Sequence, residues 1–99
     1  MKNKSRTTEI FRERAALLHH LQNSTRLRVL TVLRDGEAKV GDLAKALGMS
    51  QSALSQHLAK LRWAKLVTAR RDGTNIYYSC SSSEVFAVLD LLADLFEGQ

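Results

Sequence analysis

The sequence predicts a mainly helical (α+β) domain that carries one small β-hairpin, its elements ordered α-α-α-α-β-β-α. Three observations predict it. Apolar residues recur at three- and four-residue spacing over most of the chain. Only one pair of β-rich runs occurs, Leu66 to Arg71 and Ile76 to Cys80, and an Asp-Gly turn signal lies between them. Finally, 99 residues of which 44% are hydrophobic supply one core and one domain, spanning residues 1–99.

The first helix is predicted from Thr8 to Leu21, where Phe11, Ala15, Leu18 and Leu21 repeat at helical spacing. Residues 1–7 are expected to be flexible. Asn23 and Ser24 cap a second helix, Thr25 to Arg34, which stops at Asp35-Gly36. A short third helix runs from about Val40 to Leu47, with Leu43, Ala44 and Leu47 inward and Gly48 ending it. Ser50 opens a fourth, Gln51 to about Ala64. On a helical wheel Ala53, Leu54, His57, Leu58 and Leu61 fall on one arc, and Gln51, Ser52, Ser55, Gln56, Ala59, Lys60 and Arg62 on the other. The hairpin turns at Asp72-Gly73-Thr74-Asn75. A last helix, Glu84 to Phe96, opens with the capping-box spacing Ser81 to Glu84 and carries the stripe Val85, Val88, Leu89, Leu92, Leu95 and Phe96.

Charge is partitioned along the chain. Up to Arg71 there are fifteen Lys and Arg against five acids, a formal +10; beyond it five acids and no Lys or Arg, −5. One part suits a polyanion and the other repels it. The basic N-terminus is followed by no continuous apolar run, and Arg12, Glu13 and Arg14 interrupt the next stretch, so neither a secretory signal nor a membrane span is expected. Cys80 is the single cysteine, which excludes an internal disulfide and cannot alone supply a zinc site. No nucleophile–base–acid set and no phosphate-cradling glycine loop is recognisable, so an enzyme is not expected.

Two helices joined by Gly48-Met49-Ser50 match a helix-turn-helix, whose second helix enters a major groove of double-stranded DNA. Base edges there demand short or medium donors and acceptors: Gln pairs with adenine and Ser serves either base type. The outer arc offers Ser50, Gln51, Ser52, Ser55 and Gln56 with no carboxylate among them. Lys60, Arg62, Arg70 and Arg71 suit phosphates, as does Lys65. The hairpin forms a wing with Thr74 and Asn75 at its tip. Trp63, at the end of the recognition helix on its polar arc, has two readings, packing on the sugar-phosphate backbone or covering the hairpin, and the second is favoured. His57 is read as a hydrogen-bonded core histidine. Of the adjacent His19 and His20, one is expected to pack and one to face solvent.

The segments Leu21-Gln22-Asn23-Ser24-Thr25-Arg26-Leu27-Arg28-Val29-Leu30, Val40 to Ala44, Gly48 to Arg62 and Leu66 to Ser79 resemble, in this order, the ArsR/SmtB family of winged helix-turn-helix repressors. The resemblance covers roughly residues 15–97, is most specific from Ser50 to Arg62, and falls nearest the metal-independent branch of nodulation repressors and haemolysin regulators. It implies a bacterial, cytoplasmic, nucleoid-associated repressor that binds palindromic operators as a homodimer through its first and last helices. The interface residues expected are Phe11, Leu18, Leu21, Val88, Leu92 and Phe96, the motive being a last-helix stripe too apolar for so small a chain to cover alone.

Three departures from the family pattern stand out: Ser24 replaces a proline, Lys65 a frequent glycine, and Trp63 is unusual for its place. A left-handed residue at Lys65 costs on the order of 1 kcal/mol. The family's metal positions hold Glu37-Ala38-Lys39-Val40-Gly41-Asp42 in the third helix and Asp90, Asp94 and Glu97 in the last, without thiol or histidine, so neither metal nor another cofactor is expected. The family's paired thiols align with Thr31 and Glu97, which excludes an intrachain dithiol. Cys80 is read as a small buried apolar residue. Two alternatives stay open: an effector- or redox-responsive repressor using Cys80, its effector unknown, or a winged-helix module that binds an acidic protein.

Overall fold

The computed structural model describes residues 2–97. Five helices and three short strands follow in the order α1 (Lys2–Leu21), α2 (Ser24–Arg34), β1 (Ala38–Lys39), α3 (Val40–Leu47), α4 (Gln51–Trp63), β2 (Thr68–Asp72), β3 (Asn75–Ser79) and α5 (Ser83–Leu95). All predicted elements are present. None of the helices is long and apolar enough to cross a membrane.

The first helix starts at Lys2 and not at the expected Thr8; Met1 lies outside the described residues. The early residues carry no apolar repeat, so periodicity gave no signal there. Lys2, Lys4 and Arg6 are nevertheless good helix formers, and neither glycine nor proline interrupts the stretch.

Side-chain caps set the starts of α2, α4 and α5. Asn23 accepts from the Arg26 amide at 3.0 Å, Ser50 from Ala53 at 3.2 Å and Ser82 from Val85 at 3.2 Å, each satisfying a donor that the first turn leaves unpaired. The last of these shifts the expected cap by one: Ser82, not Ser81, takes the position, and its hydroxyl also donates to Glu84 Oε2. α3 ends at Gly48, whose φ of 66° closes the turn with its amide on the α3 carbonyls. α4 ends in the same left-handed way at Lys65, φ 63°. The Leu66 amide reaches back to the Leu61 carbonyl at 2.9 Å and ends the helix.

The core joins every helix. Val29, Leu30 and Leu33 of α2, Leu43 and Leu47 of α3, and Leu54, Leu58 and Leu61 of α4 bury against Val67, Val85 and Leu89. Those of α3, α4 and α5 are inward positions of the predicted arcs, from which Ala53 departs by being exposed. Arg34 ties α2 to α5 through an ion pair with Asp90 and lies over the Phe86 ring.

The sheet has three strands in the order β1-β3-β2, all antiparallel. The hairpin was foreseen; β1 was not. It pairs Ala38 with Tyr78 and Lys39 with Tyr77, stitching the hairpin to the start of α3. Two residues are too few to show a period, so only the tertiary pairing reveals this strand. Gly73, φ 64°, supplies the turn between Asp72 and Asn75, which pair with each other.

Candidate nucleic-acid interface

α3, the turn at Gly48-Met49-Ser50 and α4 form a helix-turn-helix, and β2–β3 stands beside it as a wing. The close approach of the two helices is local: a Cβ on Gly41 would lie 3.4 Å from the Gln51 side-chain nitrogen.

The outer face of α4 is as predicted. Gln51, Ser52, Ser55, Gln56, Ala59, Lys60 and Arg62 are all exposed, while Leu54, Leu58 and Leu61 are buried beneath them. Ser50 is exposed too, but its hydroxyl caps the helix and sits 3.4 Å from that of Ser52. Its first role is therefore to start the recognition helix. At the wing, Thr74 and Asn75 are exposed and share a groove with Gln51, Gly41, Asp42 and Lys39. The structure thus brings the wing tip and the first residue of α4 onto one surface.

The two arginines of β2 differ. Arg70 donates to both carboxylate oxygens of Glu37, at 2.8 and 2.7 Å, and its guanidinium lies 4.4 Å from the centre of the Tyr77 ring. Those hydrogen bonds hold the Glu37 carboxyl below its ordinary range and raise the Arg70 guanidinium above its own. Lys39 completes the stack on Tyr77 at 5.9 Å. Arg71, one residue on, projects from the opposite side of the strand beside Ile76 and is exposed. Glu37 lies 33 residues from Arg70 in sequence, so nothing local could have announced the pair.

Trp63 does not cover the hairpin. It is 89% exposed, beside Arg62 and Lys65, in a groove that Ser55, Ala59 and Tyr78 also line.

Behind the recognition face lies a polar cluster that the sequence reading missed. Arg26 of α2 is only 8% exposed, and its Nη1 reaches the His20 carbonyl at 3.5 Å. Its Nε and the Nδ1 atoms of His20 and His57 are buried without a hydrogen-bond partner. His57 is therefore half-buried as expected on the apolar arc, but not hydrogen-bonded at Nδ1. Burial chiefly, and then the nearby cations, depress both histidines: His19 and Arg26 act on His20, Arg26 and Lys60 on His57. His19 is the exposed member of its pair, its ring edge-on to that of His20 at 5.4 Å.

Of the expected interface residues, Phe11, Leu18 and Phe96 are exposed, and Val88 and Leu92 are half-buried. Leu21 is corrected: at 5% exposure it belongs to the core of its own chain, because α1 turns into α2 directly after it. Ile10, Leu91 and Leu95 are exposed on the same two helices and were not foreseen. Cys80 is free and buried. Among the described residues no three His, Cys, Asp or Glu side chains come together in a metal-binding group.

Comparison with known proteins agrees with this geometry. Residues 23–69 match the model of bacterial regulatory proteins of the arsR family. The chain is 49% identical to the nodulation protein NolR of Rhizobium meliloti over 83% of its own length and 67% of that protein's. It is 46% identical to the transcriptional activator HlyU of Vibrio cholerae, over 81% and 74%. Among solved structures, NolR from Sinorhizobium fredii superposes with a TM-score of 0.87 at 42% identity, covering 95% of this chain and 94% of the other. The transcriptional repressor BigR from Xylella fastidiosa gives 0.87 at 30% identity, over 97% and 98%. The chain therefore belongs to the arsR family of bacterial regulatory proteins, on the side of NolR and HlyU, and is a DNA-binding transcriptional regulator.

Proposed function

We propose that the chain is a cytoplasmic, nucleoid-associated repressor that acts as a homodimer on a near-palindromic operator. Two α4 helices enter successive major grooves about one helical turn apart. Gln51, Ser52, Ser55 and Gln56 read base edges. Ser50 holds the start of the helix, while Lys60, Arg62 and Arg71 bind phosphates. Thr74 and Asn75 follow the groove edge, and Arg70 stiffens the wing through Glu37 and Tyr77, leaving it less charge for phosphate than Arg71 has.

The observation that carries this reading is the exposed outer face of α4, made of amides and hydroxyls without a carboxylate, its first residue in one groove with the wing tip. An acidic protein partner would more often be met by apolar anchors on such a face. Dimerisation is supported by the surface left open. The chain exposes 7324 Å², where a compact monomer of this mass exposes about 5,700 Å². Much of the apolar part of that excess lies on α1 and α5, in Ile10, Phe11, Leu18, Leu91, Leu95 and Phe96.

Selection of bound duplexes from random DNA tests the whole reading. A recovered inverted repeat with half-sites about 10 base pairs apart is the expected result. Recovery of unrelated sequences at physiological ionic strength would overturn it.

A further inference from the structure

Trp63 is the most exposed large apolar side chain among the described residues, at 89%. Isolated exposed apolar residues are common and need no partner. This one does not stand alone. It forms a groove with Ser55, Ala59, Arg62, Lys65 and Tyr78, a lining with two cations and no carboxylate, and Ser55 belongs to the recognition face itself. The left-handed backbone at Lys65 turns the chain immediately after the helix, and Lys65 lines the same groove as Trp63.

The length of α4 says where this groove falls. Trp63 lies twelve residues beyond Gln51, about 18 Å along the helix axis, whereas the major groove is about 12 Å wide. With the first turns of α4 among the bases, the last turn stands at the rim, against a sugar-phosphate strand. An anionic polymer whose deoxyribose faces are apolar matches a groove of one aromatic ring and two cations.

We propose that Trp63 is a DNA-backbone contact: its indole packs on a deoxyribose of the strand bordering the major groove, while Arg62 and Lys65 hold the flanking phosphates. This rests on the reading of α4 as the recognition helix. The contact orients α4 and carries no sequence information, as backbone contacts do. It is also uncharged. Phosphate contacts release counterions and steepen the dependence of affinity on salt; an indole on a sugar does neither.

The test compares the native chain with Trp63→Ala, Trp63→Phe and Arg62→Ala, on a selected duplex and a scrambled one, across a range of salt. Trp63→Ala is expected to weaken both duplexes by about five- to tenfold with an unchanged salt slope, and Trp63→Phe by less. Arg62→Ala is expected to lower the slope by about one. Trp63 is the only tryptophan, so its emission should change as native protein is titrated with duplex. An exposed side chain leaves the core untouched, so the thermal midpoint should stay where it is.

Native affinity in Trp63→Ala with emission unmoved at saturation overturns the proposal. So does a loss confined to the selected duplex, which would make Trp63 a base reader. A change of oligomeric state without DNA assigns the indole to a protein contact and overturns it as well. The underlying reading fails separately, when the native chain does not discriminate the two duplexes; Gln56→Ala losing that discrimination shows it intact even where Trp63 proves idle.

Discussion

Lys65 holds a backbone angle that a residue with a Cβ rarely adopts, φ 63°, because the chain must reverse there between α4 and β2. Replacing it by glycine removes that strain but loosens the unfolded chain. The net gain expected for Lys65→Gly is about 0.5–1 kcal/mol, read as a higher midpoint in thermal or urea unfolding. A lower midpoint would mean that the lysine stem packs to more effect than its angle costs. On α4, Gln56→Ala or Ser52→Ala should cost about 1–3 kcal/mol on the cognate duplex and little on random DNA, by fluorescence anisotropy. At the wing the two arginines separate. Arg71→Ala should weaken all duplexes and lower the salt slope by about one. Arg70→Ala should move the slope less, because Glu37 already neutralises that guanidinium. Such residues divide into what the sequence could and could not tell. The Gln and Ser arc was readable because helical period alone puts it outside. The fates of Arg70 and Trp63 were not, because each depends on which element of the fold lies opposite.

Among the elements, the helix ends were legible to within a residue or two wherever a Ser, Asn or Gly marked them. The start of α1 and the strand β1 carried no such mark. At the junction of α1, α2 and α4 the packing of His57 and of one of the two adjacent histidines was readable; the burial of Arg26, and its meeting with His20 and His57, was not, because only packing decides it. This junction has a consequence in pH. Both histidines have folded-state values depressed below 6.5, chiefly by burial, so the folded chain resists protons that the unfolded chain accepts. Stability is then full above about pH 6.5 and is lost as pH falls through the depressed folded values. Urea unfolding from pH 8 to pH 5 should show this decline, and His20→Gln together with His57→Gln should flatten it. A wild-type profile that is level, or that rises on acidification, would contradict the assignment. Since His57 lies on α4, DNA affinity is expected to weaken over the same interval.

The molecule as a whole is extended, 51 × 37 × 20 Å with a radius of gyration of 15.2 Å, against about 13 Å for a compact chain of this length. Phe11 on α1 and Phe96 at the end of α5 are exposed, 59% and 61% open. If the proposed homodimer forms through these helices, Phe11→Glu combined with Phe96→Glu should leave a folded monomer at micromolar concentration in sedimentation velocity, where the native chain sediments as a dimer. Tethering two half-site readers raises affinity by about 10²–10⁴ over one, so the same variant should lose at least a hundredfold on the palindrome. Dimeric sedimentation of that variant would place the interface elsewhere. The opposed charges of the two parts of the chain, basic to Arg71 and acidic after it, were visible in the sequence and suit this division of labour.

The wing is not a free flap. Through Ala38 and Lys39 it is hydrogen-bonded to the residues that run straight into α3, with no loop between them. On the proposed reading of α4, helix and wing present the duplex with a template of fixed spacing. Operators with pliable steps under the wing should then be preferred to stiff ones of equal base content, and adding two glycines between Lys39 and Val40 should abolish that preference while leaving the hairpin itself folded.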